Sequence, residues 1–271
     1  MTGKVEMNKN KRKNEKPGKR LDMELVTRGL APSLEKARAF IMAGEILVDG
    51  QLRDKADAKV TRDHLIEIKK KYLYASRGAA KIEKPFQEFG IDVKGMNVLD
   101  IGISTGGFTD YMLQNGAYAA AGVDVNIRQV DDRLKKEPRL ILIEKNARFL
   151  EPKDIPFVPD LITMDVSFIS VTKILPALSE FKNAKVLTLI KPQFEAKKQD
   201  VEKGGVIRKK EKRIEILLEL KKKIQQLNYA VTGFTTAGVK GKKGNCEYFF
   251  LLEYGKKESI HDTIITHAID I

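Results

Sequence analysis

The chain has 271 residues, 42% apolar and 32% charged, which is length enough for a small domain beside a medium one, each with its own core. A single cysteine, Cys246, excludes an internal disulfide framework, and no apolar run approaches the roughly 18 residues of a membrane span. The formal net charge of +13 favours a polyanionic partner, with nucleic acid the commonest candidate.

Residues 1–19 are rich in lysine and asparagine and poor in apolar side chains, so they are expected to form a disordered basic arm. They have the charge of an export signal but no apolar stretch. From Arg20 a folded pattern begins. Leu21, Leu25 and Val26 recur at helical spacing and Gly29 closes the turn. Ser33 is a suitable N-cap for a second helix with Leu34, Ala37, Phe40 and Ile41 on its apolar face. The run EILVDGQL predicts two strands around an Asp49-Gly50 turn, and LIEI (65–68) a further strand. Residues 20–70 therefore predict a small α+β domain. Arg20, Arg28, Lys36, Arg38 and Lys59 are its candidate phosphate contacts. Lys36 and Arg38 are two positions apart and cannot share a helix face, so any basic patch draws on several elements.

Residues 71–77 read as a linker. From 78 to 255 strands and helices alternate. Strands are predicted at 96–102, 119–125, 140–144, 161–168 and 186–190, and helices at 106–115, 170–181 and 209–227. Two last strands, 231–236 and 247–254, can form an edge hairpin. This is the pattern of a doubly wound, mostly parallel α/β sheet of Rossmann-like type. Residues 256–271 form a C-terminal tail with no assigned role.

The loop Asp100-Ile101-Gly102-Ile103-Ser104-Thr105-Gly106-Gly107-Phe108 joins the first strand of this sheet to its helix. Such loops lie at the carboxyl ends of the strands, where open α/β sheets bind ligands. The spacing is not G-x-G-x-x-G, which argues against a pyrophosphate and hence against a nicotinamide oxidoreductase. Asp124 ends the second strand, where a carboxylate can bind two ribose hydroxyls. A nucleoside cofactor without pyrophosphate fits both facts, and S-adenosylmethionine is such a molecule. Asn146, after the third strand, is placed to reach an adenine. The three histidines form no metal-ligand spacing, and no metal is expected.

Four polar residues stand in apolar surroundings at strand ends or on a helix facing them: Lys81 in SRGAAK, Asp165 in MDVSFIS, Lys191 in LIKPQFE and Glu247 in GNCEYFF. Transfer of a methyl group to a ribose hydroxyl needs the hydroxyl placed and its proton removed. A buried lysine beside another lysine would serve as base, and carboxylates would hold the amines. Lys191 is the first choice for that base, with Lys81 as the alternative.

The run RLDMELVTRGLAPSLEKARAFIMAGEILVDGQ resembles the S-four domain, a module that binds structured RNA. The order of Lys81, Asp165, Lys191 and Glu247 resembles the Lys-Asp-Lys-Glu tetrad of FtsJ-like ribose 2′-O-methyltransferases. Across residues 20–254, SRGAAK, DIGISTGGFTD, DVSFIS, LIKPQFE, GGVIR and GNCEYF resemble the TlyA (hemolysin A) family. That resemblance implies methylation of cytidine 2′-hydroxyls in 16S or 23S ribosomal RNA. It makes the four residues the catalytic tetrad and places Gly102, Ser104, Thr105, Gly106, Gly107, Asp124 and Asn146 at the cofactor. Ribosomal RNA or ribosomal subunits are the implied partners, and a cytoplasmic monomer is expected.

Four departures from the family pattern stand out. Ile103 replaces a small residue and is expected to narrow the cofactor cleft. Asn126 and Arg128 replace glycines and put the shape of the adenosine pocket in question. Pro85 is expected to kink or stop the helix that bears Lys81. The loop GVKGKKGN (238–245) is more basic than usual and offers further phosphate contacts. Three other readings compete. A base methyltransferase would carry an N-P-P-Y type motif, where this chain has DVSF, or would use Cys246 as nucleophile. A hemolysin would need a membrane-inserting segment. A non-catalytic ribosome-assembly factor would not need the tetrad.

Overall fold

The structure, a computed structural model, describes residues 18–42, 44–68, 74–76, 78–241 and 244–269. Residues 1–17 of the expected arm lie outside the described residues, as do 71–73 and 77 of the expected linker and 242–243 of the basic loop. The chain divides into two units, 1–73 and 74–271.

In the smaller unit β1 (Lys19–Arg20) runs into α1 (Leu21–Thr27), and α2 (Leu34–Met42) follows. The Ser33 hydroxyl accepts the Lys36 N–H at 3.2 Å, which caps α2. Asp49 and Gly50, with φ of 50° and 75°, turn β2 (Ile46–Val48) back into β3 (Gln51–Leu52), as a two-residue hairpin requires. β4 (Lys59–Val60) pairs with β1, and β5 (Ile66–Ile68) with β2. Leu21, Leu25, Ala37, Ile41, Ile46 and Val48 form the core. Val26 and Leu34, expected on the apolar faces, are exposed. Leu21 and Leu25 already define the inward face of α1, and Val26 is turned about 100° from Leu25.

The larger unit is built on a seven-stranded sheet, taken here in chain order: β6 (Asn97–Ile101), β7 (Ala119–Asp124), β8 (Leu140–Glu144), β9 (Leu161–Met164), β10 (Lys185–Ile190), β11 (Tyr229–Thr236) and β12 (Tyr248–Tyr254). Across the sheet the order is β11-β12-β10-β9-β6-β7-β8. β6 to β10 are parallel, and the β11–β12 hairpin adds β12 antiparallel to β10. The direction of winding reverses between β6 and β9, so their carboxyl ends flank the crevice where such sheets bind ligands. Alternate residues feed two cores. Leu99 and Ile101 point to one face with Ile162 and Leu217, while Val98 points to the other with Met112 and Leu187.

The helices of this unit are α3 (Ala79–Glu88), α4 (Gly107–Gln114), α5 (Leu175–Leu178), α6 (Pro192–Glu195), α7 (Lys210–Gln226) and α8 (Asp262–Ala268). The helix expected over 170–181 shortens to a 3-10 turn, Val171–Lys173, and α5, because Pro176 offers no N–H to extend the turn before it. Pro85 does not stop α3, which continues to Glu88. Pro85 is buried, and packing holds the helix together although the Lys81 carbonyl loses its partner four residues on. Residues 256–269 of the tail form a latch, with 270–271 outside the described residues: Lys221 on α7 pairs with Asp262 at 2.6 Å, the Ile260 N–H donates to the Val231 carbonyl at 2.8 Å, and Ile265 is fully buried. It thereby covers part of β11, an edge strand with free backbone groups.

Candidate active site

The loop after β6 is shaped by missing side chains. Gly102 has φ 81°, and a Cβ there would stand 2.5 Å from the Asp165 carbonyl oxygen, so only glycine lets the two strand ends approach. Ser104, at φ 52°, donates its N–H to Asp124 Oδ2 at 3.0 Å, and the Asn126 N–H reaches Oδ1 at 3.1 Å. Gly102, Ser104, Asp124, Asn146 and Asp165 line a cleft of about 680 Å³. Thr105, Gly106 and Gly107 are not among its lining residues. A Cβ on Gly106 would collide with Leu134, and one on Gly107 with Ser76 and the Ala79 amide, so these glycines seat neighbouring elements. Gly107 in particular lets α4 meet the start of α3, which bears Lys81.

Two expected obstacles are absent. Ile103 turns away from the cleft into the core, only 3% exposed, and occupies the space over Gly122 where a side chain would strike it. Asn126 has φ −148° and caps a short 3-10 turn through the Arg128 N–H at 3.1 Å, so glycine is not required there. Asn146 plays the same part for the next turn, its Oδ1 accepting the Arg148 N–H at 3.1 Å.

The four chemistry-bearing residues form two ion pairs. Lys191 follows β10 and Asp165 follows β9; their Nζ and Oδ1 are 2.6 Å apart. Lys191 Nζ also donates to the Val166 carbonyl at 3.0 Å and to Ser167 Oγ at 2.9 Å. Lys81 on α3 pairs with Glu247 at 2.7 Å. Ile190 faces Tyr248 in the β10–β12 register, and one step further sets Lys191 across from Glu247. Lys191 and Glu247 are buried, so each charge depends on its partner. Each lysine is held by one of the two carboxylates.

Sequence reasoning missed several neighbours. Asp100 is buried and accepts the hydroxyls of Thr109 at 2.6 Å and Thr163 at 2.8 Å; burial pushes its carboxyl up to about 6. Phe168 is 90% exposed at φ 65°, lines the cleft, and has its ring 4.9 Å from that of Phe194. Positive φ on an aromatic residue leaves no signal in sequence.

In the smaller unit the candidate phosphate contacts differ in kind. Arg28 is engaged internally, with Glu24 at 2.9 Å and the His64 and Thr61 carbonyls at 2.8 and 2.9 Å. Arg20 and Arg38 both bind the buried Asp22, at 2.9 and 3.0 Å, yet keep exposed guanidinium edges. Lys36 and Lys59 are exposed.

Residues 74–254 match the FtsJ-like methyltransferase family, and residues 19–66 match the S4 domain. The chain belongs to the FtsJ-like methyltransferase family. Within it, this methyltransferase is 37% identical to the 16S/23S rRNA (cytidine-2′-O)-methyltransferase TlyA of Mycobacterium tuberculosis, over 86% of the chain and 89% of the relative. It is 40% identical to Hemolysin A of Brachyspira hyodysenteriae, over 84% and 97%. A solved structure described as a hemolysin of Streptococcus thermophilus superposes with a TM-score of 0.74 at 32% identity, covering 94% of this chain and 95% of that one. Among the described residues no helix of the methyltransferase is long and apolar enough to cross a membrane.

Proposed function

We propose that this methyltransferase transfers a methyl group from S-adenosylmethionine to the 2′-hydroxyl of a cytidine in 16S or 23S ribosomal RNA. The observation that carries this reading is the double ion pair, Lys81–Glu247 and Lys191–Asp165, at the strand ends beside the cleft. The residues present suit the cofactor. Asp124 offers a carboxylate for ribose hydroxyls, Val125, Ala147 and Ile174 offer apolar surface for an adenine, and Gly102 admits close backbone approach. When bound, S-adenosylmethionine supplies an activated methyl on a sulfonium.

The protein's own part is to bind, orient and deprotonate. The three N–H groups of Lys191 are taken up by oxygens of Asp165, Val166 and Ser167, which makes it a fixed cation whose field stabilises the oxygen as the hydroxyl gives up its proton. Lys81 is held by Glu247, and this pair takes the hydroxyl proton. Exposed cations of the smaller unit, Arg20, Arg38, Lys36 and Lys59, serve the phosphate backbone, which orients the RNA without reading its bases. The target nucleotide leaves its helix to enter the cleft, as enzymes acting inside folded nucleic acid require.

Incubation with labelled S-adenosylmethionine and unmodified 30S and 50S subunits tests the reading. Label is expected as 2′-O-methylcytidine in one or both RNAs, and Lys191→Ala is expected to lower the rate by about 10³-fold. Label on a base, or no label on either subunit, overturns it.

A further inference from the structure

No step above uses Glu195, yet it joins two segments of the site. It lies at the end of α6, and both carboxylate oxygens are engaged. The Ser170 hydroxyl donates to Oε2 at 2.6 Å and the Val171 N–H donates to Oε1 at 3.0 Å. Ser170 in turn caps the 3-10 turn that follows, accepting the Thr172 N–H at 3.3 Å. Burial pushes the Glu195 carboxyl up from its ordinary value. The fold thus bears a desolvation cost that an apolar side chain would avoid.

The segment that Glu195 holds needs holding. Residues 165–170 carry Asp165, Ser167 and Phe168, and Phe168 adopts φ 65°, a region that a bulky residue keeps only when its surroundings impose it. Lys191 grips the first half of this segment through Asp165, the Val166 carbonyl and Ser167. Glu195 grips the second half through Ser170 and Val171. Between the two grips the rings of Phe168 and Phe194 are in contact. Lys191 and Glu195 stand one helical turn apart, so a single rigid stretch fastens the loop at both ends.

We infer that Glu195 is a positioning residue for methyl transfer: it locks the Asp165–Ser170 segment against the Lys191–Glu195 segment and so keeps the Asp165–Lys191 pair and the Phe168 ring aligned with the cleft. The inference rests on the proposed roles of Asp165 and Lys191. Its chemistry predicts which replacement is tolerated. In Glu195→Gln the amide oxygen still accepts the Val171 N–H and the amide nitrogen donates to Ser170 Oγ, so both fasteners survive. In Glu195→Ala both are lost, and in Ser170→Ala one is.

Three variants, Glu195→Ala, Glu195→Gln and Ser170→Ala, are compared with the wild type for kcat, KM for RNA and amide hydrogen exchange at residues 168–171 without cofactor. Glu195→Ala is expected to lower kcat by about 10- to 100-fold, the scale of a small misplacement of reacting groups, with KM for RNA changed by less than about threefold. Exchange at 168–171 rises in Glu195→Ala and Ser170→Ala. Glu195→Gln recovers most of the rate and the slow exchange. A folded Glu195→Ala with the wild-type kcat, or a Gln variant as impaired as the Ala variant, overturns the inference. Should Glu195→Ala fail to fold, Ser170→Ala set against Glu195→Gln decides in the same way. If the wild type itself transfers no methyl group, the proposed function fails separately; the exchange comparison then stands alone, and equal exchange in all variants overturns the lock.

Discussion

At Gly241 one absent methyl group controls a charge. A Cβ there would fall on the Glu247 carboxylate, and the Gly241 N–H is committed to the Asn245 carbonyl at 2.9 Å, so the backbone cannot easily retreat. Gly241→Ala should push Glu247 away from Lys81 and lower single-turnover methylation by about 10²-fold. Cofactor affinity, measured by equilibrium dialysis, should hardly change, because Gly241 does not line the cleft. A Gly241→Ala enzyme with the full single-turnover rate would show that Glu247 need not stay where it is. The importance of GNCEYF was readable from its motif, but the importance of Gly241 was not. It depends on a side chain six residues along that folds back only in the finished loop.

Among the elements, α1 shows most clearly what local pattern can and cannot say. Its start, its length and its apolar pair Leu21 and Leu25 follow from spacing. That Asp22 is buried does not, since an aspartate in the first turn usually faces water. Here hydrogen bonds from Arg20, and then from Arg38, hold its carboxyl down to about 2. A depressed carboxylate stabilises the folded state above its unfolded value near 3.8 and loses that contribution as pH falls toward 2. Asp22→Asn should therefore destabilise the protein at pH 7 by about 2 kcal/mol. The gap in melting temperature between variant and wild type should shrink as pH falls below about 4. A gap that stays constant from pH 7 to pH 3 would mean the charge contributes nothing. Arg28 teaches the converse: a charge expected at a phosphate also bolts the end of α1 to the turn before β5, which spacing alone does not record.

For the whole molecule, net charge makes the strongest prediction. With +13 on 271 residues, binding to ribosomal RNA should weaken as salt rises. Raising monovalent salt from about 50 to about 200 mM should cost at least about tenfold in affinity, if three or more phosphates are neutralised. A filter-binding titration across that range checks it, and an affinity indifferent to salt would exclude a phosphate-led interface.

The sequence by itself determined the alternation of strands and helices, the glycine loop after β6, the acidic end of β7 and the four polar residues that form the two ion pairs. These are local properties, set by neighbours a few positions away and by the periods of strand and helix. Tertiary structure decided which lysine meets which carboxylate, that Ile103 packs over Gly122 rather than into the cleft, that the tail latches onto α7, and that Glu195 fastens a loop. Each of these depends on side chains brought together by packing of segments distant in the chain. Hydrogen-bond geometry and exclusion of overlapping atoms select among partners there, and no local period records that choice.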